Sequence, residues 1–250
     1  MTAELITFLL LGALAGGFIN GLSGTGTALF ALGFYLVVLD PVTAVAIVSL
    51  MSVVAGFQGL WVVRTAIFDN PKRLLRFVLP GLVGVPVGVW LLAGLDATIL
   101  RYGVAAFLII YGAYFSFRAV LPAFERPTPV VDSCVGGLGG VLGGATGMSG
   151  ALPSIWMSLR PWTKFETRAV LQPFNMVMLM TTIGLLFSQG AYDADAVRAI
   201  LITVPTGLVA AQVGIAVFKR LTNTGFRRLL IGLNFVMGIG ILISELTKVG

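Results

Sequence analysis

The chain has 250 residues, 58% of them hydrophobic and only 10% charged, with 16 Lys and Arg against 10 Asp and Glu. A soluble domain carries about 25% charged residues, so a soluble globular protein is excluded and residues 1–250 read as a single integral domain in contact with the lipid bilayer. The lack of histidine and the lone Cys134 exclude an internal disulfide, a CxxC motif and the usual imidazole shuttle or metal ligand.

The start, Met1 to Leu5, lacks a basic n-region, so no cleavable signal is expected. Residues 5–39 are apolar and Gly-rich, too long for one crossing of ~20 residues, and interrupted at Gly21–Gly26. They divide into pieces at 5–22 and 27–39. Asp40-Pro41 supplies an N-cap and a first-turn proline for a helix over about 41–63. Asp69-Asn70-Pro71 repeats that signal before a helix over about 71–94, which contains Pro80 and Pro86 and the GxxxG pair Gly84 and Gly88. Asp96 caps a helix over about 98–118. Residues 120–130, with Glu125-Arg126-Pro127, form the linker.

The second half follows the same order. An apolar stretch over 131–159 breaks near Gly147–Gly150. Thr163 to Glu166 is a capping box that opens a helix to about 188. Asp193 and Asp195 open another to about 218, bent at Pro205, and a last helix covers about 225–245. The expected fold is therefore all-α and polytopic, with repeat one over 5–119 and repeat two over 131–245. Each repeat has a broken hairpin followed by three transmembrane helices.

The basic residues set an orientation. Most lie in four segments: 64–76, the linker region, 160–168 and 219–228. Lys and Arg mark cytoplasmic loops, so these segments are expected inside, and the loops holding Asp40, Asp96 and Asp193 outside. Equivalent loops of the two halves then lie on opposite sides, which makes the repeat inverted. The net charge of +6 reflects loop placement, and no nucleic-acid partner is expected.

The broken stretches are copies of one another. At an offset of 123 positions (16 to 139), Gly16, Gly17, Gly21 and Gly24 fall on Gly139, Gly140, Gly144 and Gly147, and Ser23 falls on Thr146. At an offset of 126 (81 to 207), Gly81, Gly88, Leu95 and Arg101 fall on Gly207, Gly214, Leu221 and Arg227. Paired inverted repeats with helices broken at the midplane characterise secondary transporters. With the runs from Gly16 to Gly26 and from Gly139 to Gly150, the Arg160-Pro161 turn and Pro80-Gly81, residues 5–245 resemble the TauE/SafE family of sulfite and organosulfur exporters. The resemblance implies movement of sulfite, a sulfonate or a related small anion, often outward, across the cell (cytoplasmic) membrane.

A small anion needs donors in a dry pocket, and a broken helix frees backbone N–H groups. The candidate substrate-binding residues at the first break are Asn20, Ser23, Gly24, Thr25 and Thr27. At the second they are Thr146, Gly147 and Ser149. Close packing and back-bonding to carbonyls are the plainer roles for the same small residues. Arg168, Gln172 and Asn175 share one helix face around Pro173. Polar groups inside an apolar helix usually face the bundle interior, although Arg168 is equally readable as an interfacial anchor near Lys164. Gln58 occupies a comparable position in the first half. Gln212 and Asn234 are expected in interhelical hydrogen bonds, and Glu166, Asp40, Asp96 and Asp193 as caps.

The expectation is an alternating-access transporter, and no enzyme: no nucleophile–base pair, phosphate loop or metal cluster stands out, and no cofactor is expected. Met148, Met157, Met176, Met178 and Met180, taken with Cys134, read as packing residues before soft-metal ligands. A channel-like permease for another small anion or neutral solute is the alternative, and a non-transporting scaffold the alternative of another class. A homodimer is left open.

Overall fold

A computed structural model describes residues 2–94, 106, 109, 110, 113 and 124–249. Among the described residues the helical elements are α1 (Ala3–Ser23), α2 (Thr27–Val38), α3 (Pro41–Asp69), α4 (Pro71–Gly94), α5 (Pro129–Thr146), α6 (Ala151–Ser158), α7 (Lys164–Ser188), α8 (Ala194–Arg220) and α9 (Asn223–Val249). The fold is all-helical, and α1, α3, α4, α7 and α8 are each long and apolar enough to cross a membrane. The helix expected over 98–118 and its cap Asp96 lie outside the described residues.

Caps set most of the helix starts. Asp40 accepts from the Thr43 N–H at 3.0 Å and Asp193 from the Ala196 N–H at 2.8 Å. Thr163 and Glu166 close a reciprocal capping box at the start of α7. α3 runs past the expected end at 63 to Asp69, because nothing there breaks a helix before Asn70, which precedes Pro71.

Both Gly-rich stretches fold as antiparallel hairpins. Gly16 of α1 faces Thr27 and Ala31 of α2, while the earlier Gly12 faces the later Tyr35. In the second hairpin Gly139 of α5 faces Ser149 and Pro153. The lengths differ: at 1.5 Å per residue, α1 spans about 31 Å and α2 about 18 Å, against about 27 Å for α5 and about 12 Å for α6.

Each hairpin packs on a helix of the other half. Gly17 of α1 lies against the backbone of Gly207 of α8, and Gly21 against Ala211. Gly140 of α5 lies against Gly81 of α4, and Gly144 against Val85. The two offsets read from the sequence carry one interface onto the other. A core of Leu9, Tyr35, Ile47, Met51, Phe77, Phe174 and Phe218 fills the space between.

The basic loops gather at one end. Arg73 pairs with Glu166 at 3.1 Å. Arg160 pairs with the buried Asp132 at 3.0 Å and donates to the carbonyls of Phe124 and Arg126. Asp132, which the sequence reading passed over, also accepts from the Trp156 indole N–H at 2.7 Å. Lys164 reaches the carbonyls of Phe218, Lys219 and Leu221, where it caps the C-terminus of α8.

Candidate functional site

The two breaks are made by glycines in the left-handed region, where a Cβ is strained. Gly24 (φ 86°) and Gly26 (φ 88°) form the first break, and Gly147 (φ 71°) the second. Thr25 and Ser149 are carried inward at these breaks, and both hydroxyls donate to Asn175 Oδ1 of α7, at 3.2 and 2.6 Å. Asn175 Nδ2 donates in turn to Ser52 Oγ of α3 at 3.3 Å. Asn20 Nδ2 reaches Thr27 Oγ1 at 2.7 Å and Ser52 Oγ at 3.0 Å. Six buried polar side chains from α1, α2, α3, α7 and both breaks thus form one network.

Ser52 and Asn175, which touch each other, are themselves 123 residues apart. The offset that lays one Gly-rich run on the other thus carries Ser52 onto Asn175 as well. The same offset pairs Ser49 with Gln172 and Val45 with Arg168. The environment follows suit. Gln172 is the nearest side chain facing Gly24, and the Ser49 hydroxyl lies close to the side of Gly147 that a Cβ would occupy.

Arg168 stands one turn into α7 and is fully buried. Its Nη1 donates to the Gly21 carbonyl at 2.8 Å, one of the carbonyls left free at the C-terminus of α1. Its Nε donates to Gln172 Oε1 at 3.2 Å, and its guanidinium carbon lies 4.4 Å from the centre of the Phe218 ring. Among the described residues the ion pairs are Arg73–Glu166, Arg76–Asp132, Arg160–Asp132 and Arg198–Asp195, and Arg168 belongs to none of them. Its Nη2 and the Gln172 Nε2 are buried without a hydrogen-bond partner. Both face α3 where that helix has no side chains: a Cβ on Gly59 would stand 2.5 Å from Nη2, and one on Gly56 3.1 Å from Gln172 Nε2.

The remaining candidates sit apart from this centre. Ser23 Oγ has the Ile19 and Thr25 carbonyls within hydrogen-bond reach of its one O–H, and Thr146 Oγ1 donates to the Leu142 carbonyl, so both are engaged locally at the ends of their own helices. Gln58 lies on α3 beside Gly59, its Oε1 buried without a partner, and outside the network. Asn234 donates to Ser154 Oγ at 2.8 Å, as an interhelical bond, whereas Gln212 is on an exposed face of α8. The interhelical bond expected of Asn234 is thus present, and Gln212 does not sit in a buried interhelical contact. A pocket lined by Ile19, Ser23, Thr25, Gly150, Ser154 and Asn234 lies beside the first break, and of the network only Thr25 borders it.

Sequence reasoning missed Ser49, Ser52, Gly56, Gly59 and Phe218. For the first two the signal was present: the 123-residue offset carries Gln172 and Asn175 onto them.

No curated protein matches the chain. The family model for sulfite exporter TauE/SafE matches residues 8–241. Together with an all-helical fold whose long apolar helices enclose a polar centre, that match over nearly the whole length places the chain in the TauE/SafE sulfite exporter family of membrane transporters.

Proposed function

We propose that the protein carries sulfite or a small sulfonate outward across the cytoplasmic membrane by alternating access, with the anion held at Arg168 and Gln172 beside the first break. The observation that carries this reading is a fully buried guanidinium with no carboxylate among the described residues and an unpartnered Nη2. A buried charge left unpaired costs several kcal/mol, and an anion with oxygens to spare offsets that cost by accepting from Nη2 and Gln172 Nε2. Asn175 and its partners hold the two break tips in register around the site.

The repeats are 5–119 and 131–245, joined by the linker 120–130 and inverted relative to one another. In this reading the end bearing Arg73, Arg160 and Lys164 faces the cytoplasm. The short α2 and α6 are the re-entrant arms of their hairpins. Exchange of access is a rocking of one half on the other about the Ser52–Asn175 contact.

The test is sulfite flux in proteoliposomes. Saturable flux, lowered by Gln172→Ala and by Asn175→Ala in protein that remains folded, supports the proposal. Flux that rises linearly with concentration, without saturation, moves the reading to a channel-like permease. No flux from folded wild-type protein overturns it.

A further inference from the structure

We infer that the site selects a singly charged anion and discriminates against dianions; the inference rests on the anion site proposed at Arg168. The ground is the charge balance of the buried centre. Among the described residues, Arg168 is the one formal charge among the buried polar side chains around the two breaks; the others include Asn20, Thr25, Thr27, Ser49, Ser52, Ser149, Gln172 and Asn175. The position equivalent to Arg168 in the other half is Val45, also buried, so the pseudo-symmetry of the centre brings no second cation. Lys164, one turn earlier on α7, is committed to the three carbonyls at the end of α8.

Helix ends do not supply the missing charge. An N-terminus favours anions, but each break sets a helix C-terminus beside a helix N-terminus. At the first, α1 ends at Ser23 and α2 begins at Thr27; at the second, α5 ends at Thr146 and α6 begins at Ala151. Their opposed partial charges offset within a few residues. Arg168 itself already answers the negative end of α1 through the Gly21 carbonyl.

A monoanion therefore makes the occupied centre neutral. A dianion leaves one net negative charge in a dry interior, at a cost that the neutral hydroxyls and amides repay only in part. The cargo class is then bisulfite or an organosulfonate in its singly charged form, in preference to the sulfite dianion, sulfate or thiosulfate. The orphaned donors suit an oxyanion: Arg168 Nη2 and Gln172 Nε2, each an NH2 group, have hydrogens free for the oxygens of one tetrahedral head.

The experiment compares two probes whose charge does not change near neutral pH, methanesulfonate as monoanion and sulfate as dianion. Each is added to the purified full-length protein at matched ionic strength, and binding is read from the rise in melting temperature. Methanesulfonate is expected to bind at least roughly tenfold more tightly than sulfate. Folded Val45→Arg protein, with a second cation at the equivalent position, is expected to narrow or reverse that ratio. Sulfate binding as tightly as methanesulfonate in the wild type overturns the inference and leaves the anion site standing. Binding of neither probe overturns both.

Discussion

The two halves of the centre use one scaffold for different ends. In the first, Gly24 turns the chain against Gln172 and Arg168; in the second, Gly147 turns it against Ser49, and Val45 takes the place of the arginine. The backbone device is the same, a left-handed glycine ending a helix, with its N–H returned to a carbonyl four residues back: Gly24 to Asn20 at 2.8 Å and Gly147 to Gly143 at 2.9 Å. The side chains are not the same. The backbone turn is thus duplicated and the buried charge is not, so under the proposed anion site substitutions at paired positions should match in stability and part in binding.

Arg168 is where they should part most. Arg168→Met removes the charge and keeps much of the volume. We expect anion binding to fall by roughly a hundredfold or more, as when a charge-assisted hydrogen bond is lost. The melting temperature should hardly fall, because the change also removes an unpaired buried charge. Val45→Met, at the equivalent position, should leave binding near wild type. Measured by thermal shift with and without methanesulfonate, an Arg168→Met protein that still binds would refute the asymmetry.

The crossing interfaces should behave alike. Gly21→Ala forces a methyl into the Ala211 backbone, and Gly144→Ala forces one into Val85. Backbone cannot yield as a side-chain tip can, so each should cost about 1–3 kcal/mol of stability. A large difference between the two melting temperatures would mean that the α1–α8 and α4–α5 contacts do not carry equal weight.

Gly24 and Gly147 test backbone and side chain together. Alanine at either is strained by its left-handed conformation, at about 1–2 kcal/mol. At Gly24 the new methyl also stands 2.8 Å from Gln172 Oε1, whereas at Gly147 its nearest neighbour is Ala28 Cβ at 3.3 Å. Both variants should melt lower by similar amounts, and only Gly24→Ala should weaken anion binding, by about tenfold. Equal losses of binding would make the second break part of the anion site.

Much of the scaffold was legible because its signals are local. Asp40, the Thr163–Glu166 box and Asp193 fix helix starts through bonds three residues long, and the Gly-rich copies mark the breaks by composition alone. The centre was half legible. Arg168, Gln172 and Asn175 stand out because polar groups in an apolar helix need a reason. Gly56 and Gly59 do not, since a glycine in an apolar helix says nothing about which donor it leaves uncovered until the facing helix is known. The roles of Ser23 and Thr146 turned on the same point: their hydroxyls had a carbonyl four residues back within reach, and took it.

The smallest expected difference lies in the caps. The 123-residue offset places Asp40 opposite Thr163, so α3 and α7 start at equivalent residues with different chemistry. Burial works to raise the Asp40 pKa, but hydrogen bonds from the side chain and backbone of Thr43 and from the backbone of Val42 outweigh it and hold it below the ordinary carboxylate value. A folded-state pKa below the unfolded one means stability that is fully present above the unfolded value, about 3.9, and is lost as pH falls through the lowered folded value. Serine caps without titrating, so Asp40→Ser should cost only a few tenths of a kcal/mol at neutral pH. That gap should stay constant down to about pH 5 and close below about pH 4, as the wild-type cap protonates. At α7 the titrating group is Glu166, and Thr163→Ser keeps both that carboxylate and the hydroxyl it accepts from, so its gap should stay small and flat across the same window. Melting curves of the three proteins across acidic pH decide it: an Asp40→Ser gap that persists unchanged at the acid limit would mean that the charge on Asp40 contributes nothing to the start of α3 beyond what any hydroxyl supplies.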